Sequence, residues 1–143
     1  MTTIAYDHIN GFIAVDGRIT SSGVIQSDDA CKVITANGRT FCMSGSTSDW
    51  NDFCNDFENG KQPKRKYSCS AMMIENESVF TCGIDEDDGL FFQCEQNWNS
   101  AMGSGNQFAI AAMDFGRSAE EAVKYASTKD CYSGGKITVI KTR

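Results

Sequence analysis

At 143 residues the chain is most simply one domain, 1–143, large enough to bury roughly 70% of the surface its unfolded form exposes. The composition is globular, 41% hydrophobic and 22% charged, and 13 basic against 19 acidic residues leave a net charge of −6, which argues against general nucleic-acid binding. No run approaches the ~18 apolar residues of a membrane span, and no basic region with an apolar core opens the chain, so no membrane is expected as a partner and the default location is cytoplasmic. In chain order, TIAYD (3–7) and FIAVD (12–16) read as strands flanking an Asn10-Gly11 hairpin signal. A second such pair, Asn37-Gly38, separates CKVIT (31–35) from TFCMS (40–44). Ser46 with Asp49 offers a helix start, and Trp50, Phe53, Cys54 and Phe57 form one apolar stripe that ends by Asn59-Gly60 and Pro63. The basic run KQPKRK (61–66) reads as a solvated loop. Strand-like runs follow at 67–74, 78–84 and 89–95. A helix over 105–115 would turn Phe108, Ala111, Ala112 and Phe115 inward and stop at Gly116. A second, over 118–127, opens with a Ser118–Glu121 capping box and buries Ala119, Ala122, Val123 and Ala126. A last strand, 136–142, closes the chain. Hairpins of strands with helices in blocks argue α+β, most simply two sheets packed face to face with helices outside.

The seven cysteines are odd in number, widely spaced and without a CxxC pair, so they read as reduced small hydrophobes rather than as a disulfide framework or a zinc site. The single histidine, His8, leaves a hydrolase little choice but a base other than imidazole, and no cofactor is called for. TTI stands at 2–4 and DGRITSSG at 16–23, with Lys32 sixteen residues beyond Asp16. SGSTSD stands at 44–49, GSG at 103–105 and KDCYSGG at 129–135.

In that order and near that spacing, these stretches resemble the N-terminal nucleophile (Ntn) hydrolases, specifically the proteasome β-subunits and their bacterial relative HslV. The resemblance spans nearly the whole chain. It implies a four-layer αββα sandwich and a threonine peptidase that cuts peptides or unfolded protein through an acyl-enzyme on Thr2, exposed once Met1 is removed. Thr2 matches the nucleophile, Asp16 and Lys32 the charged pair beside it, and Gly45 the residue whose N–H forms the oxyanion hole. Ser104, Asp130 and Ser133 match the set that holds the terminal amine and a water, and Thr3 reads as structural. By family position Ile19, Thr20, Ala30, Ile34, Met43 and Thr47 would line a mostly apolar first pocket, with core packing as the alternative for Ile34 and Met43.

The residues support those roles independently. A threonine hydroxyl needs an adjacent base, and an α-amino group titrating near pH ~8 supplies one from the same residue. Thr2 is small enough for removal of Met1, with no long propeptide needed. The chain departs from the family in two respects: the segment before 67 is too short for the usual second helix, so the first helical layer is shortened, and two residues are missing between the first strands, where only FIAV lies between Asn10-Gly11 and Asp16. A homo-oligomer, including a ring, is implied by the family, but the missing helix weighs against an ATP-dependent unfoldase as partner. The alternatives are a catalytically silent structural or assembly protein with this fold, and a transferase or small-amide hydrolase acting as a free-standing subunit.

Overall fold

The computed structural model describes residues 2–143, so Met1 and the expectation of its removal lie outside the described residues. The elements in chain order are β1 (Thr3–Asp7), β2 (Phe12–Val15), β3 (Ile19–Ser21), β4 (Val24–Ser27), β5 (Val33–Ala36) and β6 (Arg39–Gly45). A 3-10 turn (Thr47–Asp49) runs into α1 (Trp50–Asp56). Then come β7 (Cys69–Glu75), β8 (Ser78–Ile84), β9 (Phe91–Glu95), β10 (Ser100–Gly103), α2 (Asn106–Asp114), α3 (Ala119–Ser127) and β11 (Thr138–Lys141). They group into two compact units, one formed by the chain up to Lys32 together with Asn97–Arg143, the other by Val33–Gln96.

In the first unit a four-stranded sheet runs in the order β10-β1-β2-β11, all neighbours antiparallel. α2 and α3 cover one face through small residues. Ala5 and Ala14 from the sheet meet Ala109, Ala112, Met113, Ala119, Ala122, Val123 and Ala126 in a single buried cluster. Small side chains let the helices lie close to the strands. α3 opens with the expected capping box: Glu121 N–H donates to Ser118 Oγ at 3.2 Å, and Ser118 N–H donates to Glu121 Oε1 at 3.1 Å. The inward face expected of α2 is corrected. Ala109, Ala112 and Met113 are buried, whereas Phe115 is 88% exposed and Phe108 sits at the surface. The small β3–β4 sheet and strand β10 carry no clear apolar alternation and were not expected from the sequence.

The Val33–Gln96 unit is a five-stranded antiparallel sheet in sequence order β5-β6-β7-β8-β9. Asn37 and Gly38, at φ of 54° and 76°, make the two-residue hairpin between β5 and β6, with Ala36 opposite Arg39. The α1 stripe packs as expected: Trp50, Phe53, Cys54 and Phe57 are all buried. Phe41, Phe53, Phe57, Tyr67 and Phe91 form an aromatic core of edge-to-face, tilted and stacked pairs with ring centroids 5.2–6.3 Å apart. Only this one short helix lies between β6 and β7. The KQPKRK loop is pinned back on it, with Arg65 reaching Asp49 at 2.8 Å and Asp52 at 3.0 Å while stacking over Tyr67.

Candidate active site

Six of the seven catalytic candidates fall in the unit built from the two chain ends. Thr2 sits immediately before β1 and is almost wholly buried. Asp16 directly follows β2, the strand hydrogen-bonded to β1. Ser104 lies in the turn from β10 into α2, and Asp130 and Ser133 lie in the loop between α3 and β11. Two features of the backbone hold these loops in place. Gly103, at φ 90°, lies against the Thr2 carbonyl, where any Cβ would collide. Asp130 N–H donates to Ala126 O at 2.8 Å, tying the loop to the end of α3.

Lys32 Nζ lies 2.9 Å from Thr2 Oγ1 and 2.9 Å from Asp16 Oδ1, and both members of the ion pair have fully buried side chains. Asp16 is saturated with donors. Oδ1 also takes Thr3 N–H at 3.0 Å, while Oδ2 takes Gly134 N–H at 2.9 Å and Arg18 N–H at 3.2 Å. Burial pulls the Lys32 ammonium below the usual lysine range, and the attraction of Asp16 and Asp130 offsets only part of that. Ser104 and Ser133 both donate to Asp130 Oδ2, at 2.6 and 2.7 Å. Burial would raise the Asp130 carboxyl, but those two hydroxyls and Tyr132 N–H outweigh it and hold the group below the ordinary carboxylate range. The result is a hydroxyl with a cation beside it and a separately anchored carboxylate, all close to the start of β1.

Gly45, the seventh candidate, ends β6 in the other unit at φ 106°, where a Cβ would come within 2.6 Å of the Ser68 carbonyl and 2.7 Å of Cys69 Cα. Only glycine fits that backbone. Of the pocket candidates, Ile19, Thr20, Ala30 and Ile34 are half-buried and Thr47 is exposed. Met43 is fully buried, with its sulfur 3.5 Å from Cys54 Sγ on α1, which fits the core-packing alternative. Among the described residues no three His, Cys, Asp or Glu side chains converge as metal ligands, and no helix is long and apolar enough to cross a membrane.

No protein-family model matches the chain. It is 27% identical over 175 aligned positions to proteasome subunit beta type-5 of Gallus gallus, covering 96% of this chain and 68% of that one. Among solved structures it superposes on Thiobacillus denitrificans BPH in complex with epoxomicin, with a TM-score of 0.66, 17% identity and coverage of 99% of this chain and 98% of that one. BPH in a second structure gives a TM-score of 0.65 at 15% identity, over 100% of this chain and 99% of that one. The sequence is similar to that of a proteasome β-subunit, and the fold is the proteasome-like Ntn-hydrolase fold. The fold agrees with the expected α+β class, and α1, the one α-helix between β6 and β7, matches the shortened helical layer.

Sequence reasoning passed over three parts of this candidate site. Thr3, read as structural, touches both halves of the site through its N–H and its hydroxyl. Arg18 clamps the site loop from outside, donating to Asp28 at 2.8 and 3.1 Å and to the Cys131 carbonyl at 3.1 Å. The Gly134 N–H completes the Asp16 shell. The signal for Thr3 is strand alternation: it shares the helix-facing side of β1 with Ala5.

Proposed function

We propose that the chain is a single Ntn-hydrolase domain acting as a threonine peptidase on peptides or unfolded protein. The observation that carries the reading is Lys32 Nζ held equidistant, at 2.9 Å, from Thr2 Oγ1 and Asp16 Oδ1. Once whatever precedes Thr2 is removed, its α-amine is the base. The amine takes the Oγ1 proton, Oγ1 bonds to the substrate carbonyl carbon, and the proton passes to the leaving amine as the C–N bond breaks. Water, activated by the same amine, then releases the acyl group. Lys32 supplies positive charge beside Oγ1 and favours its alkoxide-like form, and Asp16 keeps that lysine in place. Base assistance of this kind is worth roughly 10²–10⁴ in rate. The Gly45 N–H is assigned to the developing oxyanion, at about 3 kcal/mol for such a donor. Ser104, Asp130 and Ser133 are assigned to holding the amine and the water.

The reading extends to a mostly apolar first pocket with contributions from Ile19, Thr20 and Ala30, and to a homo-oligomer as the working form. It is tested by peptide hydrolysis with the mature N-terminus verified by intact mass. Thr2→Ala is expected to abolish turnover and labelling by a threonine-directed electrophile such as epoxomicin. Equal hydrolysis by Thr2→Ala and the unaltered protein would sink the reading and leave a catalytically silent assembly protein in its place.

A further inference from the structure

Two threonines open β1, and the reading above uses only the first. Thr3 is fully buried. Its N–H donates to Asp16 Oδ1 at 3.0 Å and its Oγ1 lies 2.6 Å from Ser133 Oγ, so one residue touches both the Lys32–Asp16 pair and the Asp130 group. The space for that hydroxyl is preserved by Gly105, where a Cβ would run into Thr3 Oγ1.

The direction of the Thr3–Ser133 bond follows from counting protons. A hydroxyl has one hydrogen to give. Ser133 gives its hydrogen to Asp130 Oδ2 at 2.7 Å, where Ser104 also donates. The 2.6 Å contact therefore has Thr3 as donor and Ser133 as acceptor. The chain of hydrogen bonds runs one way, from Thr3 to Ser133 to Asp130.

We propose that Thr3 is a positioning residue for the threonine-peptidase chemistry, its hydroxyl fixing Ser133 so that Asp130 keeps two hydroxyl donors. The proposal rests on the functional reading above, in which Asp130 and Ser133 hold the Thr2 amine. The groups facing Asp130 are the Ser104 and Ser133 hydroxyls, Tyr132 N–H and the field of Lys32. Asp16 is joined to the same loop through Gly134 N–H and to Thr3 through its N–H.

Thr3→Val isolates the hydroxyl, since valine keeps the shape, the strand preference and the backbone bond to Asp16. The expected result is a kcat lower by roughly three- to tenfold, the size of one net hydrogen bond, with KM nearly unchanged. The acid limb of the pH–rate profile, set by the Thr2 amine, moves to higher pH, because an Asp130 carboxylate with a loosened donor keeps more of its negative charge and so favours the ammonium form of that amine. Thr3→Ser restores both. In a Ser133→Ala background Thr3→Val adds nothing, because Thr3 acts through Ser133. Independently of turnover, the carboxyl carbon of Asp130 followed by NMR titrates at higher pH in Thr3→Val. Unchanged kcat, profile and Asp130 titration in Thr3→Val overturn the proposal, as does an additive loss in the Ser133→Ala background. Should Thr3→Val fail to fold, Thr3→Ser decides: an unaltered kcat and acid limb support the hydroxyl's role, and a shifted limb overturns it. A protein that hydrolyses no peptide defeats the peptidase reading alone, while the Asp130 titration still decides the role of Thr3.

Discussion

Asp16 accepts four hydrogen bonds, three of them from the backbone N–H groups of Thr3, Arg18 and Gly134 and one from Lys32. That count makes the buried pair asymmetric. Replacing Lys32 by methionine leaves Asp16 with three donors, whereas replacing Asp16 by alanine strands three N–H groups and takes the carboxylate away from a buried lysine. Lys32 itself titrates below its ordinary value because it is buried. Between that lowered value and the ordinary 10.5 the unfolded chain binds the proton more tightly, so stability rises with pH across that window as the cost of burying the charge is relieved. We therefore expect Asp16→Ala to lose about 3–5 kcal/mol in urea unfolding and Lys32→Met only about 1 kcal/mol. Both should lower peptide hydrolysis by roughly 10²-fold or more. Equal destabilisation by the two would contradict this account. Thr2, Asp16 and Lys32 were legible in the sequence because their residue types and spacing survive as short motifs. The roles of Thr3 and Gly134 were not. Gly134 meets Asp16 across 118 residues of chain, and Thr3 meets Ser133 across 130, so neither contact leaves a local pattern.

α3 shows what local chemistry can and cannot specify. Its start was readable because the capping box is a four-residue device, and its inward face was readable because the polar residues Glu120, Glu121 and Lys124 leave only one apolar side. α2 has apolar residues on both sides, and the aromatic side looked the more hydrophobic. The sheet beneath instead presents Ala5 and Ala14, a close surface that admits Ala109 and Ala112 and leaves Phe115 outside. The short strands β3, β4 and β10 were missed because three or four residues offer too little alternation to register. α3 matters to the site because its last turn anchors the loop that carries Asp130, whose N–H donates to Ala126 O, while Ala126 packs where a Cβ on Gly105 would fall. Ser118→Ala removes one half of the capping box at the far end of the helix. It is expected to cost about 1 kcal/mol and to lower Tm by roughly 3–5 °C. At temperatures where the protein stays folded, kcat should be unchanged, since the last turn is held independently by the Ala109–Ala126 cluster. A fall in kcat without a fall in Tm would mean that the helix transmits its start to the site, contrary to this packing.

At the scale of the whole molecule, the two units carry different titratable loads. Every thiol with a clearly raised value lies in the Val33–Gln96 unit. Burial pushes Cys54 and Cys69 up to about 12, and Cys82 higher still. Tyr67 is likewise pushed up to about 12, by burial and by its hydrogen bond to Asp56. For such groups the unfolded chain releases its proton first, near pH 9 for the thiols and pH 10 for the phenol. Stability from these groups is therefore intact below those values and is lost as pH rises toward 12, at roughly 1.4 kcal/mol per pH unit for each fully buried group. The Val33–Gln96 unit should then be the first to open in alkali. The two tryptophans separate the signals, because Trp50 is buried in the α1 core and Trp98 is exposed in the other unit. In a Trp98→Phe variant, fluorescence reports Trp50 alone. Its emission is expected to shift to longer wavelength between pH 9 and 12, and Cys54→Ala with Cys82→Ala should move that transition to higher pH, relative to each variant's own stability at pH 7. A transition that stays in place when both thiols are removed would trace alkaline opening to other groups, and Tyr67→Phe would then be the substitution that moves it.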